Sequence, residues 1–210
     1  MGQRAKSGKS LTSTHVDTLN IAIFPTDLGW IGMVGSGQRI VRISIGHVEA
    51  SEVRQTAGDW AGCDDLVEAD WYPELRERIQ EYCRGRLVEF DDVELQIGKQ
   101  TPFQKRVLSA TRKIRYGQTL SYGELASKAG FPRAARAVGT VMSSNCFPII
   151  VPCHRVVGSN SLGGYTARRG TCLKEELLNR EAETVATVAK PKPAQRSGRK
   201  DVSKRELSHH

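Results

Sequence analysis

The most constraining feature of the chain is residues 145–157, which read Asn-Cys-Phe-Pro-Ile-Ile-Val-Pro-Cys-His-Arg-Val-Val. The apolar run 149–151 consists of β-branched residues, which predicts a short buried strand. Pro152 ends this strand, because proline cannot donate a ladder hydrogen bond. Cys153 and His154 follow directly, and a thiol beside an imidazole at the end of a rigid strand indicates a reactive nucleophile. A buried structural cysteine in a β-turn is the alternative.

The net charge of +8 is distributed unevenly along the chain. Residues 16–102 carry 16 acidic and 8 basic side chains, whereas residues 103–180 carry 13 basic and 3 acidic side chains. The basic half also contains the Cys-His pair. Such segregation is typical of a domain that binds a polyanion such as DNA. A generally basic protein without a nucleic-acid partner is the alternative.

Cysteine usage and hydropathy argue against several classes of protein. The five cysteines are an odd number, with no CxxC spacing and no Cys/His cluster. We therefore expect no disulfide framework, no metal site and a reducing intracellular compartment. No apolar run reaches 18 residues, which argues against a membrane span. Residues 1–15 are polar and basic, unlike a secretory signal.

Composition divides the chain into four segments. They are a disordered basic tail (1–16), an N-terminal scaffold domain (17–98), a C-terminal DNA-binding domain that contains the Cys-His pair (99–185) and a second disordered basic tail (186–210). Alternating residues within 19–45 predict an antiparallel meander of three strands, with a turn at 25–29. An acidic loop over 58–70 and a helix over 73–84 follow. His47 stands alone and is expected to be structural or exposed.

The first part of the basic half predicts a helix-turn-helix. One helix begins at Pro102, and the next begins with the capping box Ser-Tyr-Gly-Glu at 121–124. After a turn at Gly130, the segment 133–142 predicts a second helix that consists largely of small residues. Arg136 is the only long side chain on its part of that helix. Small residues favour close approach to the minor groove with little base reading. Plain helix packing is the alternative.

The last predicted helix, 172–181, carries a carboxylate at the edge of its apolar face. Leu173 and Leu177 lie on that face, and Glu181 lies one turn after Leu177. Carboxylates are rarely buried without a partner, and His154 is the candidate partner. A carboxylate that points to water is the alternative.

Several motifs of the basic half occur together in one known family. They are Pro152-Cys-His-Arg-Val156, Arg136-Ala-Val-Gly139, Gly163-Gly-Tyr165 and the helix from Lys174 to Glu181. In their order and spacing, residues 101–181 resemble the O6-alkylguanine-DNA alkyltransferases, or methylated-DNA–protein-cysteine methyltransferases. A weaker likeness at 26–30 extends into the N-terminal half. The resemblance implies an α/β protein with an RNase H-like N-terminal domain, built from a small antiparallel sheet and a helix. It also implies a mostly helical C-terminal domain with a winged-helix-like helix-turn-helix.

The resemblance implies direct reversal of DNA alkylation in a single turnover. Cys153 would attack the alkyl carbon on O6 of guanine, with guanine as leaving group. His154 would take the thiol proton through a water, Glu181 would orient His154, and Asn145 would brace this network. Because the thioether product is not a leaving group, each molecule would react once. O4-methylthymine is implied as a second substrate.

The resemblance also implies how DNA is engaged. After base flipping, Arg136 would fill the vacated stack and Tyr122 would hold the rotated nucleotide. Further implied DNA contacts are Arg133, Ala135, Thr119 and Ser121, and the implied substrate pocket contains Met142, Val156, Tyr165 and Thr166. The implied partner is double-stranded DNA containing O6-alkylguanine, contacted in the minor groove with little sequence preference.

A monomer without a cofactor, a metal or a membrane partner is implied as well. Its expected location is the cytoplasm, in association with the nucleoid, or the nucleus in a eukaryote.

Two departures from the family pattern bear on the site. Cys146 occupies a position where the family usually has proline, and residues 166–170 are bulkier and more basic than the usual Gly-rich loop. Three other functions compete with the alkyl acceptor. They are a non-catalytic protein that binds alkyl lesions, a plain helix-turn-helix regulator and a cysteine hydrolase. Proteins of the first kind lack the acceptor thiol, which Cys153 supplies here.

Overall fold

A computed structural model describes residues 18–61 and 66–189. The predicted tail 1–16 and most of the predicted tail 186–210 therefore lie outside the described residues. The helices are α1 (Ala50–Ala61), α2 (Pro73–Cys83), α3 (Pro102–Arg112), α4 (Tyr122–Lys128), α5 (Ala135–Ser143) and α6 (Gly170–Ala189). Within the described ranges, no helix is both long enough and apolar enough to cross a bilayer.

A five-stranded sheet forms the N-terminal half. Its strands are β1 (Asn20–Thr26), β2 (Gly29–Ser36), β3 (Arg39–His47), β4 (Val67–Glu68) and β5 (Glu94–Leu95), in the order β4-β1-β2-β3-β5. The predicted antiparallel meander is confirmed, and short parallel strands flank it. The predicted turn at 25–29 is shorter, because Pro25 still pairs with Trp30. Proline is tolerated there because β4 pairs only with Asn20 and Ile21 on the other side of β1.

Helix α1 occupies part of the segment that was predicted to be a loop. It packs against one face of the sheet through Val53 and Ala57, which contact a cluster containing Ile21 and Val34. These are its only two buried residues. Because so narrow an apolar stripe produces a weak helical periodicity, the sequence did not reveal this helix.

The opposite face of the sheet contributes to a core that both halves of the chain share. Helix α2 contributes Leu75, Ile79 and Tyr82, and α6 contributes Leu173 and Leu177. The apolar run 149–151 is buried in the same cluster. One core therefore crosses the predicted boundary between residues 17–98 and 99–185.

The predicted strand at 149–151 is wrong, although the run is buried as expected. Ile149 has a left-handed backbone with φ +73°, and the amide of Val151 donates to the carbonyl of Phe147 over 2.8 Å. The run is therefore a tight turn. Pro148 and Pro152 flank the run, and because neither proline can donate a ladder hydrogen bond, the sequence around the run favours a turn.

The C-terminal half is mostly helical and has its own core. Helices α3, α4 and α5 pack together, and two short strands, β6 (Leu120–Ser121) and β7 (Val156–Val157), pair in parallel. The predicted capping box at 121–124 is confirmed, and Thr101 forms a second one with Gln104. Helix α5 begins at Ala135, two residues later than predicted, because Arg133 has φ +79° and is not helical.

Helix α6 is longer than the predicted helix 172–181 and extends past the predicted start of the tail at residue 186. Its last turns are anchored, because the Thr184 hydroxyl donates to the Gly85 carbonyl over 2.6 Å. Residues 182–189 include three alanines and no proline or glycine, so they can continue the helix.

We predict that Gly46→Ala destabilises the protein more than Gly37→Ala. Both glycines have positive φ, so alanine costs about 1 kcal/mol of backbone strain at either position. At Gly46 the added Cβ would also lie 2.6 Å from Leu173 Cδ2 and 3.0 Å from the Arg168 carbonyl, whereas nothing lies within 4 Å at Gly37. Overpacking should add about 2 kcal/mol. Urea unfolding measures both losses, and equal losses would contradict close packing of β3 against α6.

Candidate active site

Cys153 begins a single 3-10 turn, Cys153–Arg155, and only 7% of its surface is exposed. Asn145, just after the end of α5, holds it. The Asn145 amide nitrogen donates to Cys153 Sγ over 3.0 Å and to the Val151 carbonyl over 2.9 Å. The Asn145 side-chain oxygen accepts from the Phe147 amide over 3.0 Å. One side chain therefore fixes both the tight turn and the thiol, which agrees with the bracing role expected for it.

The thiol of Cys153 is protonated at neutral pH. Burial raises its pKa, and the hydrogen bond from Asn145 and the charge of Lys174 oppose this without reversing it. A thiol is a weak nucleophile compared with its thiolate. A nucleophilic reaction of this thiol would therefore need a base that takes the proton.

His154 is placed to act as that base. Its side chain is fully buried, and its Nε2 lies 2.9 Å from Glu181 Oε1 and 3.1 Å from the Tyr82 hydroxyl. Because an ionised carboxylate only accepts hydrogen bonds, Nε2 carries the proton in the neutral ring. The basic lone pair therefore sits on Nδ1, which is buried and has no hydrogen bond to the protein. Burial lowers the pKa of His154 despite the opposing effect of Glu181, so the ring is neutral and can accept a proton.

Glu181 is the centre of the buried network. Its carboxylate accepts from the Arg155 guanidinium over 2.8 to 3.1 Å, from the Tyr82 hydroxyl over 2.6 Å and from the Gly117 amide over 2.9 Å. Burial alone would raise its pKa, but the hydrogen bonds from His154 and Arg155 and the charge of Arg155 outweigh burial and lower it to about 2. The predicted contact between His154 and Glu181 is confirmed, and the carboxylate does not point to water.

Lys174 lies on the other side of Cys153. Its ammonium donates to the Val156 carbonyl over 2.6 Å and to the Gly164 carbonyl over 3.2 Å, and its side chain is fully buried. Burial lowers its pKa to about 8. The lysine ties the loop that carries Tyr165 to β7, and it places a positive charge near the thiol.

The predicted pocket residues divide into two groups around Cys153. Tyr122, Met142 and Val156 pack with the cysteine in the C-terminal core. Tyr165 and Thr166 line a cavity of about 590 Å³, together with Cys153 and Asn145. Strand β3 forms the far wall of this cavity, which therefore lies between the two halves of the chain.

The predicted DNA contacts lie on or before α4 and α5. Arg136, Arg133 and Thr119 are exposed, whereas Ala135 and Ser121 are half-buried. The Ser121 hydroxyl already accepts from the Glu124 amide as the helix cap. Helices α4 and α5 pack against each other. The predicted DNA contacts on and before these two helices therefore lie on neighbouring elements of the fold.

Comparisons with known proteins agree with this geometry. The family model described as "6-O-methylguanine DNA methyltransferase, DNA binding domain" matches residues 102–183. The constitutive methylated-DNA–protein-cysteine methyltransferase of Bacillus subtilis is 36% identical over 157 residues, which cover 74% of this chain and 91% of that protein. The Methanosarcina acetivorans methylated-DNA–protein-cysteine methyltransferase is 35% identical, over 76% of this chain and 96% of that protein. The chain belongs to the methylated-DNA–protein-cysteine methyltransferase family.

A solved structure of this family shares the fold. The Mycobacterium tuberculosis protein OGT, crystallised in complex with DNA, superimposes with a TM-score of 0.65 and 32% identity, over 79% of this chain and 94% of that chain. The α/β architecture of a small sheet with helices is thereby confirmed. Within residues 18–61 and 66–189, no cluster of three His, Cys, Asp or Glu side chains is arranged to hold a metal ion.

Three functional contacts escaped the sequence analysis. Tyr82 had only a helical apolar periodicity, which a core residue also has, and it lies 99 residues from its partner Glu181. Arg155 and Lys174 belong to the family motifs, but nothing local revealed their partners. The spacing Lys174, Leu177, Glu181 follows the i, i+3, i+7 rule for one helix face, and it could have indicated that the lysine is buried.

We predict that Glu181→Gln removes about 3 to 5 kcal/mol of stability at neutral pH, because it leaves the buried Arg155 charge uncompensated. In the parent protein, the lowered pKa of Glu181 stabilises the fold at pH values above 4.5, the ordinary pKa of a glutamate. This contribution is lost as the pH falls toward 2. The variant should therefore lose less stability between pH of about 5 and about 3.

Urea unfolding at both pH values measures this difference. Glu176→Gln is the matched control, because Glu176 lies on the same helix and forms partly exposed ion pairs with Arg169 and Arg180. It should cost less than about 1 kcal/mol. Equal effects of the two substitutions would contradict the central position of Glu181.

Proposed function

We propose that the protein repairs alkylated DNA by moving the alkyl group from O6 of guanine to Cys153, once per molecule. The observation that carries the proposal is the arrangement around the thiol. Cys153 is held by Asn145 beside a neutral His154 whose Nδ1 is unpartnered, in a chain whose relatives are methylated-DNA–protein-cysteine methyltransferases. O4-methylthymine, which presents a comparable alkyl oxygen, is a second substrate.

The proton moves from the thiol to His154. A water bound to His154 Nδ1 relays it, and Glu181 stabilises the imidazolium that forms. The thiolate then attacks the O6-linked carbon, so that a C–S bond forms and the C–O bond breaks. The electron pair leaves on guanine, which takes up a proton. Because a thioether is a poor leaving group, the protein is consumed in the reaction and needs no cofactor.

The reaction requires the base to leave the duplex. Cys153 is 7% exposed and packs in the same core cluster as Val138 and Val141 of α5, so a stacked guanine cannot reach it. Arg136 is exposed on α5 and can fill the gap in the stack, while Tyr122 packs beside Cys153 and can hold the rotated nucleotide. The small residues of α5 suit the minor groove, where they allow close approach with little sequence preference.

Finer features of the fold and setting belong to the same proposal. The N-terminal sheet with α1 and α2 is of the RNase H-like type, and the helices α3 to α5 with β6 and β7 form a winged-helix-like domain that binds double-stranded DNA. The protein acts as a monomer, because one chain contains the complete thiol, base and carboxylate set. It works where DNA is, in the cytoplasm with the nucleoid or in a nucleus.

We predict that one alkyl group per chain appears on Cys153. Incubation with a duplex oligonucleotide that contains O6-methylguanine should increase the intact mass by one methyl group, because the thioether is stable. Peptide mapping should place it on Cys153, and Cys153→Ala should show no mass increase. Cys172→Ala is the matched control, because Cys172 is an exposed cysteine with no hydrogen bond from Asn145. Binding of the lesion without an adduct would favour the non-catalytic alternative.

We also predict that Arg136→Ala slows repair in duplex DNA more than it slows reaction with the free base O6-benzylguanine. The free base needs no flipping, so loss of the inserted side chain should matter only in the duplex, by about ten-fold or more. Single-turnover rates on both substrates provide the comparison. Arg86→Ala removes an exposed arginine from the acidic half and should leave both rates unchanged. Equal slowing of both substrates by Arg136→Ala would exclude the flipping role.

A further inference from the structure

Tyr82 brings a hydroxyl from the N-terminal half of the chain to the catalytic side chains. It lies in the last turn of α2 and is 3% exposed. Its hydroxyl donates to Glu181 Oε1 over 2.6 Å, and the same oxygen lies 3.1 Å from His154 Nε2. Among the residues that the structure describes, no other residue before position 99 forms a hydrogen bond with either of these side chains. The methyl reaction written above assigns this hydroxyl no part.

The ring of Tyr82 is fixed by two other aromatic rings. Phe90 lies 5.9 Å from it and Tyr116 lies 5.8 Å from it, between ring centres, with interplanar angles of 69° and 83°. Edge-to-face pairs of this kind are a favoured arrangement of aromatic rings. The direction of the hydroxyl is therefore set by packing that does not depend on the hydroxyl itself.

The backbone beside Tyr82 is tied to the helix that carries Glu181. The Arg180 guanidinium donates to the Cys83 carbonyl, and the Thr184 hydroxyl donates to the Gly85 carbonyl over 2.6 Å. These donors lie on either side of Glu181 in α6, and their acceptors directly follow Tyr82. The end of α2 and the middle of α6 are thus held in one register, which keeps the hydroxyl against the carboxylate.

The single proton of the hydroxyl determines how Tyr82 can interact with His154. Burial and the charge of Glu181 raise the pKa of Tyr82 well above its ordinary value, so the hydroxyl stays protonated. Because its proton goes to the carboxylate, its oxygen turns a lone pair toward Nε2. The Nε2–H then has two acceptors, Glu181 Oε1 and the Tyr82 oxygen. In the other tautomer, Nε2 would turn its own lone pair toward an ionised carboxylate at 2.9 Å.

Resting on the proposed function, we propose that Tyr82 is a positioning residue for alkyl transfer, whose hydroxyl holds the Glu181 carboxylate and the Nε2–H of His154 together and so keeps Nδ1 as the basic atom. The proton still passes from the Cys153 thiol to His154, and Tyr82 neither gains nor loses one. The N-terminal half in this way takes part in the reaction without contacting the substrate.

The test compares Tyr82→Phe with Tyr116→Phe. Tyr82→Phe removes one oxygen atom and leaves the ring that packs in the core. Tyr116→Phe is the matched control, because Tyr116 belongs to the same aromatic cluster but its hydroxyl donates to Thr184 over 3.4 Å. Single-turnover rates with a duplex that contains O6-methylguanine are measured from about pH 7 to about pH 10, together with the Kd for the same duplex.

We expect Tyr82→Phe to slow alkyl transfer about ten-fold near pH 7, because a misplaced base loses part of its contribution to the rate. The Kd for the lesion duplex should not change. The difference from the parent should shrink toward about pH 10, because hydroxide then removes the thiol proton and the base is no longer needed. Tyr116→Phe should keep the parental rate at every pH.

A nitrogen NMR measurement on the resting parent protein tests the same inference without any variant. We expect the ring of His154 to be neutral and to carry its proton on Nε2. A proton on Nδ1 would overturn the inference, whether or not Tyr82→Phe folds.

The kinetic outcomes separate failure of the inference from failure of the proposed function. An unchanged rate in Tyr82→Phe would overturn the positioning role. A loss of the same factor at every pH would show that the hydroxyl only supports the fold, and this result also overturns it. Absence of any adduct in the parent protein would instead refute the alkyl transfer, and the tautomer of His154 would then be judged by NMR alone.

Discussion

A single buried carboxylate, Glu181, holds the reactive end of this protein together. It receives hydrogen bonds from Arg155, His154, Tyr82 and Gly117, which come from three separate parts of the chain. A buried ion pair contributes little net stability, because the desolvation of both charges offsets their attraction. Loss of one partner, however, leaves a charge that the interior cannot solvate. The arrangement therefore fixes one geometry of the site and adds little to the net stability of the fold.

The same carboxylate determines what His154 can do. By accepting a hydrogen bond from the Nε2–H it directs the basic lone pair to Nδ1, and by remaining ionised it stabilises a positive ring. Burial meanwhile keeps both His154 and Cys153 neutral in the resting protein. A thiol kept protonated until substrate arrives is suited to a reaction that happens once, because premature oxidation or alkylation would waste the molecule.

The two halves of the chain are coupled at the site itself. Their shared core contains the turn 149–151, and strand β3 forms one wall of the cavity beside Cys153. The acidic half therefore contributes cationic side chains, Arg42 among them, to a cavity that Cys153 also lines.

Local chemistry in the sequence was sufficient for the capping box at 121–124 and the meander, and it made His154 a candidate partner of Glu181. These features depend on residue type and short spacing, which a sequence displays directly. The sequence did not determine the backbone of 149–151, where β-branched residues predicted a strand and two flanking prolines imposed a turn. Nor did it reveal the contacts of Tyr82 with Glu181 and His154. Those contacts depend on which distant segments of the chain meet in the core. The free energy that brings these segments together comes from the burial of apolar surface. Because that effect is not directional, the sequence does not display which segments will pair.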